Sequence, residues 1–290
     1  MLFALVAVAG MMLNQDTDTT FAVRQGQRLD VSDFGGTVVI KSWRQSSIRV
    51  RATHGSRDYV TVSTEGATVS ISASSRHGPA MVDYEILAPA WMPISVSGTP
   101  SAEVTIEGSE AEIAVETVEG AVTVVGGRGN IALKSVEGDV SLTGAKGHIE
   151  LNSVDGSITV KDCSGDITAE TVDGEISLQD IESADVDAST VDGSIEYDGT
   201  ITDSGRYRLT SHDGDVSVSM PERANATISV ATFSGSFDAC FPVTIPPGGR
   251  TTKHRFTFTL GTGSARVELE SFDGSIKLCR PGQIHEQNEE

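Results

Sequence analysis

Aromatic residues are scarce in this 290-residue sequence: they make up 5% of it, and only two are tryptophans. A large core built on aromatic packing is therefore not expected. The thirty glycines and frequent β-branched residues instead suit thin layers of strands that turn at glycine. Basic residues are also few, 21 against 41 acidic ones, which gives a net charge of −20. This charge argues against nucleic acid or an anionic membrane as a partner, because both present negative surfaces.

Long hydrophobic runs are absent after the first residues. Residues 1–13 form an uncharged apolar run that is too short to span a bilayer and lies where the apolar part of a signal peptide belongs. We predict a signal-like segment over residues 1–15 and an exported protein of the cell envelope, periplasm or extracellular space. A buried first strand is the alternative. No transmembrane segment is expected.

A nine-residue period governs the middle of the sequence. Its glycines recur without error at Gly120, Gly129, Gly138, Gly147, Gly156, Gly165 and Gly174. Apolar residues follow each glycine by two and four positions, as in Ile158 and Val160, which is the alternation of a strand with one buried face. We therefore predict an all-β fold, a parallel β-solenoid (β-helix or roll) over residues 101–279. Each 18-residue coil would consist of two nine-residue units.

The flanking regions depart from this period. Residues 20–100 alternate as strands outside the nine-residue frame, which predicts an irregular β region: either the first coils or a cap on the open edge. Residues 241–263 interrupt the frame and predict an excursion or hairpin. The polar segment 280–290 is expected to be a disordered tail.

Positions around the glycine form uniform columns. Three residues before it, every unit of the stronger type has serine or threonine. Two residues before it lie Val118, Val136, Val154, Val172, Val191, His212, Phe233 and Phe272. We expect stacked coils to pile these side chains in one interior file.

The repeats TVEG, SVDG and TVDG, the opening FGGTVVIKSWRQSSIRVRAT and the closing GTGSARVELESFDGSIKL carry a resemblance. Over about residues 29–278 the sequence resembles bacterial envelope families of β-strand repeats, which include domains of unknown function and predicted adhesins. The segment AWMPISVSGTP departs from their regular pattern. The resemblance implies an extracytoplasmic β-solenoid and brings no catalytic residues.

An acidic column precedes the glycines: Glu119, Glu137, Asp155, Asp173, Asp192 and Asp213, resuming at Asp273 after Ser234. One interpretation is turn chemistry, with the carboxylates accepting backbone N–H groups. The other is a metal site, a calcium ladder between coils, since hard cations prefer carboxylate and carbonyl oxygens. Calcium is the only cofactor that the sequence suggests.

The three cysteines can be placed by the same frame. Cys240 and Cys279 each lie five residues after the glycine of successive strong units, so they are a disulfide candidate if those units are adjacent coils. Cys163 occupies a position of small residues and is expected to be a buried filler.

Nothing in the sequence predicts catalysis. Ser211, His212 and Asp213 contain the letters of a catalytic triad, but consecutive strand residues point to opposite faces, so His212 is expected to be a core or turn residue. We predict a non-catalytic exported adhesin or envelope scaffold or sensor that presents an acidic surface to an unknown protein or glycan. A calcium-stabilised surface rod and a carbohydrate-active β-helix enzyme are the alternatives.

Overall fold

The structure, a computed structural model, describes residues 15–76, 78–221, 223–243, 255–281 and 283. These residues form twenty-three elements, all of them β-strands. Their bounds are β1 Gln15–Ala22, β2 Arg28–Trp43, β3 Ser47–His54, β4 Asp58–Glu65, β5 Thr68–Ser75, β6 Val82–Pro89, β7 Ile94–Ser109, β8 Ile113–Glu116, β9 Val122–Gly126, β10 Arg128–Lys134, β11 Val140–Thr143, β12 Lys146–Asn152, β13 Ile158–Lys161, β14 Ser164–Glu170, β15 Ile176–Asp192, β16 Ile195–Gly199, β17 Arg206–Asp213, β18 Val216–Ser219, β19 Ala226–Thr232, β20 Phe237–Ala239, β21 Arg255–Leu260, β22 Ala265–Asp273 and β23 Ile276–Cys279. The predicted signal-like segment lies outside the described residues, except for Gln15 at the start of β1.

Two parallel ladders build the β-solenoid. In the first ladder, β8, β10, β12 and β14 lie side by side, and Ile131 pairs with Ile113 and with Ile149. In the second ladder, β9, β11, β13 and the start of β15 do the same, and Val140 pairs with Val122 and with Ile158. The all-β, mainly parallel fold that the glycine period predicts is therefore present.

The core lies between the two ladders because the strands alternate. Along β12, Ile149 and Leu151 are fully buried, whereas His148 is exposed and Glu150 is half-buried. Their parallel neighbours are again aliphatic, so each coil adds the same apolar pair. Burial of each such side chain contributes about 1.5–3 kcal/mol.

The coils begin earlier than residue 101. The two halves of β2 pair in parallel with the two halves of β7, Leu29 with Ile94 and Val38 with Val104. Antiparallel strands complete this end: β4 pairs with β5, and β1 pairs with β3, which pairs with β6. Residues 20–100 thus supply both the irregular first coils and the strands that terminate them. The first four residues of the segment AWMPISVSGTP precede β7 and the other seven form its start. Strand β7 then passes from one ladder to the other, since it pairs with β8 and with β9.

The last coils are not stacked in chain order. Strand β22 pairs with β17 on one side and with β19 on the other, and Val267 meets both Tyr207 and Ile228. The chain therefore builds an outer coil with β19 and β20, leaves it, and inserts its final coil underneath. In the predicted excursion 241–263, β21 forms an antiparallel partner of β19, while residues 244–254 lie outside the described residues.

Three contacts secure this end. Cys240 and Cys279 form a disulfide, with their Cα atoms 4.7 Å apart, because the inserted coil places β23 beside β20. Arg280, assigned to the disordered tail by its sequence, lies 3.9 Å from the centroid of the Phe241 ring and donates a 2.6 Å hydrogen bond to the Pro221 carbonyl. The residues that follow, apart from Pro281 and Gln283, lie outside the described residues.

The turns at one edge approach each other so closely that only glycine fits. A Cβ added to Gly156 would collide with the carbonyl oxygen of Gly138 in the neighbouring coil. The same collision recurs from Gly138 to Gly120 and from Gly174 to Gly156. Since Gly156 and Gly174 are not in the left-handed region, close approach, rather than backbone conformation, requires glycine there.

We expect Gly156→Ala to lower the free energy of unfolding by more than about 3 kcal/mol, because a backbone clash forces the stacked coils apart. Gly144→Ala is the matched control. Gly144 has φ +70° but no neighbouring atom within 4 Å of an added Cβ, so only a strain of about 1 kcal/mol applies. Urea unfolding measures both, and equal losses in the two variants would contradict the close-approach explanation.

We expect Cys240→Ser/Cys279→Ser to lower the free energy of unfolding by about 3–4 kcal/mol, since the disulfide closes a loop with a sequence separation of 39. Thermal unfolding with and without reductant checks this in the unaltered chain. The double variant should not respond to reductant. An unchanged melting temperature on reduction would show that the bridge does not form.

Candidate functional site

The valine column lies on the surface, so its predicted position in an interior file is wrong. Val118 is 40% exposed and the outermost residue of the column, Phe233, is 59% exposed. The reason is the strand alternation itself. Ile131, Leu133 and Ser135 are buried in turn, and the residue after Ser135 must therefore point outwards. The two-residue alternation of the strand, which is visible in the sequence, therefore already predicts an exposed position for the valine column.

We call this file of exposed side chains the ridge: in spatial order it consists of Val118, Val136, Val154, Val172, Val191, His212, Phe272 and Phe233. Because the final coil is inserted, Phe272 lies between His212 and Phe233, and its ring stacks on each with centroids 4.8 Å apart. His212 is thus an exposed turn residue and not a core residue. With seven steps of about 4.8 Å, the ridge is roughly 34 Å long.

The acidic column runs beside the ridge, and we call it the acidic row: Glu119, Glu137, Asp155, Asp173, Asp192, Asp213 and Asp273. Successive members are parallel bridge partners, from Glu119 with Glu137 to Asp173 with Asp192, and Asp213 pairs with Asp273. Ser234, which interrupts the column in sequence, lies at its outer end. The row is therefore continuous over seven carboxylates.

Backbone groups at this edge bond between coils and leave the carboxylates outside. The N–H of Asp155 donates to the Val136 carbonyl at 2.8 Å, and the N–H of Gly156 donates to the Asp173 carbonyl at 3.0 Å. By contrast, Asp139 and Asp215, each one residue after a turn glycine, accept a backbone N–H, from Ser157 at 2.9 Å and from Ser275 at 2.7 Å. Within the described residues, no hydrogen bond from a backbone N–H to the carboxylates of Glu137, Asp155 or Asp173 is present. These carboxylates face solvent.

The hydroxyl groups of the serine and threonine column form hydrogen bonds between coils. The uniformity of this column in the sequence did not reveal that role. The Ser153 hydroxyl donates to the Gly138 carbonyl of the preceding coil at 3.2 Å, and the Thr171 hydroxyl donates to Gly156 at 3.0 Å. Ser211 is buried and donates to Gly193 at 2.8 Å. Its hydroxyl points inwards while His212 points outwards, so Ser211, His212 and Asp213 do not converge.

Other side chains that could form a binding or reactive site are paired or buried. A cavity of about 340 Å³ near the first coils is lined by Lys41, Arg49 and Arg51, but each of these cations is paired with a carboxylate. The hydrogen bond from Arg49 lowers the pKa of Asp18 to about 2. Cys163 is buried as expected, and burial raises the pKa of its thiol. In the part of the chain that the structure describes, no three histidine, cysteine or acidic side chains are grouped so that they could hold a metal ion.

Comparison with protein families matches residues 26–279 to the family described as Toastrack DUF4097. No curated protein matches. Among crystal structures, 92% of the chain aligns with all of a putative cell adhesion protein from Clostridium sporogenes, at 9% identity and a TM-score of 0.25. It also aligns over 92% with 98% of a putative adhesin from Bacteroides fragilis, at 14% identity and a TM-score of 0.45. These TM-scores are too low for either likeness to carry an argument. Across the described residues, no helix has the length and apolar character needed to cross a membrane.

Neighbouring carboxylates of the acidic row repel each other by about 1 kcal/mol per pair in water at the coil spacing. We therefore expect Asp155→Asn/Asp173→Asn to raise the free energy of unfolding by about 1–3 kcal/mol at low salt, and by much less at about 1 M salt, where screening is strong. Urea unfolding at both salt concentrations measures this. Glu112→Gln/Glu182→Gln, two exposed acids at the opposite edge of the solenoid, is the control and should change little, because Glu182 pairs with Ser164 and not with an acid. Destabilisation by Asp155→Asn/Asp173→Asn would instead mean that the carboxylates hold the turns or a bound cation.

Proposed function

The chain belongs to the Toastrack DUF4097 family, and from this premise we propose that it is a non-catalytic, exported β-solenoid whose ridge and acidic row bind a partner in the cell envelope. The role is that of an adhesin, scaffold or sensor presenting an acidic surface. The observation that carries the proposal is the continuity of two contrasting surface files, one apolar and one acidic, along a single edge of a stacked frame.

The frame supports a role in presentation. In the regular coils the ridge residue follows a buried hydroxyl that bonds to the neighbouring coil and precedes a glycine that lies against that coil. The hydrogen bonds and close backbone contacts of the turns therefore hold the exposed side chains of this edge at a regular spacing, although these side chains are not packed in the core. In its regular part the proposed rod repeats every eighteen residues, and the acidic row makes this edge negative.

The repetition argues against catalysis. A glycosidase or lyase needs two different groups converging on one bond, whereas the acidic row presents the same group in coil after coil. The one histidine of the ridge, His212, stacks on Phe272, and the hydroxyl of Ser211 is engaged by Gly193. This arrangement supports an extended binding surface better than a catalytic site.

The disulfide supports export. Bonds such as the one between Cys240 and Cys279 persist in oxidising compartments and are rare in the cytosol. The net charge of −20 favours solubility outside the cell. The host envelope supplies the partner, a protein or a glycan.

A calcium-stabilised rod is a second candidate, favoured by the direct stacking of the acidic row. If this candidate is right, calcium raises the melting temperature more than sodium chloride of equal ionic strength does, and Asp155→Asn/Asp173→Asn abolishes the difference. If calcium and sodium chloride act equally, the row is only a charged surface.

The proposed function is tested with the purified, fluorescently labelled full chain and isolated envelopes of the bacterium that produces it. We expect saturable binding that falls at least about fivefold in Val136→Thr/Val154→Thr/Val172→Thr, since the exposed ridge would be the contact surface. Val125→Thr, a change in an exposed valine toward the opposite edge, should leave binding unaltered. Binding without ridge dependence, or release of reducing sugars from the envelope by the chain, would contradict the proposal.

A further inference from the structure

We propose that the ridge and the acidic row together form a docking site for a cationic amphipathic α-helix of a partner protein. The helix would lie along the edge of the solenoid, with its apolar stripe on the ridge and its lysine or arginine side chains over the acidic row. This inference rests on the proposed binding function and specifies the chemistry of the partner.

The ridge concentrates the exposed apolar surface of the molecule. Among the described residues, ten large hydrophobic side chains are exposed, and seven of them belong to the ridge. The other three, Tyr59, Met81 and Val125, are scattered. Single exposed apolar residues are ordinary in soluble proteins, whereas a contiguous file rimmed by charge is typical of an interaction site.

The negative charge of the acidic row favours a positively charged partner. It runs along one side of the ridge without a basic residue among its members, and Asp139, Glu175 and Asp215 add carboxylates just beyond the glycines. A second copy of the chain would bring another net charge of −20 to this edge, and an anionic lipid surface would be repelled. A positively charged partner gains attraction and also relieves the repulsion within the row.

The spacing of the ridge selects the secondary structure of the partner. Ridge side chains repeat at about 4.8 Å, the distance between neighbouring strands. One turn of an α-helix rises 5.4 Å, so an apolar residue on each turn falls out of step by about 0.6 Å per coil and stays within half a coil spacing over about four coils. Side chains on one face of an extended strand repeat at about 6.7 Å and lose register within two or three coils. A helix of about 23 residues would cover the roughly 34 Å of the ridge.

The probe for this proposal is a synthetic 23-residue peptide with leucines at i, i+3, i+4 and i+7 positions and lysines along one flank of that stripe. We expect it to bind the full chain, to gain helical circular dichroism on binding, and to bind more weakly as salt is added. Its Kd, measured by fluorescence anisotropy, should rise at least about tenfold with Val136→Thr/Val154→Thr/Val172→Thr and with Glu137→Gln/Asp155→Asn/Asp173→Asn. These positions are exposed. An unchanged circular dichroism spectrum, with cooperative unfolding at a urea concentration no lower than that of the unaltered chain, confirms that each variant folds.

Two controls separate docking from general attraction between opposite charges. Glu112→Gln/Asp166→Asn/Glu182→Gln removes the same number of exposed carboxylates from the opposite edge and should change the Kd less than about twofold. A peptide of the same composition with its leucines dispersed around the helix should bind at least about tenfold more weakly. Equal weakening by the two carboxylate variants, or equal binding of the two peptides, would overturn the proposal.

Other results of these experiments would give the ridge a different role. If the peptide fails to bind while envelopes still bind in a ridge-dependent manner, the helix proposal is wrong and the proposed function stands. If envelope binding also lacks ridge dependence, both are wrong. Dimerisation of the chain that Val136→Thr/Val154→Thr/Val172→Thr abolishes, seen by sedimentation, would identify the ridge as a contact between copies and overturn the helix proposal.

Discussion

The close approach of successive turns is the constraint on which the rest of the molecule depends. Glycine carbonyls of one coil lie where a Cβ of the next coil would be, and the hydroxyls of Ser153 and Thr171 bond to those same carbonyls. Strand pairing in both ladders follows from this stacking, because it holds equivalent positions at the spacing of neighbouring strands. The apolar pair that each strand contributes then closes the core between the ladders.

The two files of the candidate site are consequences of the same stacking. Any residue that points outward at this edge is repeated at the coil spacing, so one exposed valine per coil becomes the ridge and one carboxylate per coil becomes the acidic row. The energetic cost differs between them. Valines gain some contact with their neighbours, whereas carboxylates repel, and backbone N–H groups of the turns donate to carbonyl groups of the neighbouring coils. Neither the exposed apolar file nor the repelling row is needed to close the core.

Much of the fold could be predicted from the sequence, and the candidate site only in part. The nine-residue glycine period and the apolar pairs such as Ile158 and Val160 identify short strands with one buried face. The acidic row was recognised as a column, and Cys240 and Cys279 were paired by their positions after glycine. The uniformity of the valine column predicts an interior file, whereas the structure places the column on the surface. Continuing the alternation from Ile131 through Leu133 and Ser135 would have placed it outside, since a hydroxyl bonded to a carbonyl occupies the inward position.

The sequence by itself determined the coil: which residues turn, which pairs are buried, and which side chains recur, because these depend on neighbours within one repeat. Only the tertiary structure decided the order of the coils. Insertion of β22 between β17 and β19 places Phe272 between His212 and Phe233 and makes the acidic row continuous. The units at either side carry almost the same pattern, so local sequence does not distinguish a final coil added at the end from one inserted beneath it. The choice is made by packing over the whole end of the solenoid, where β21 and the Cys240–Cys279 disulfide complete the outer coil.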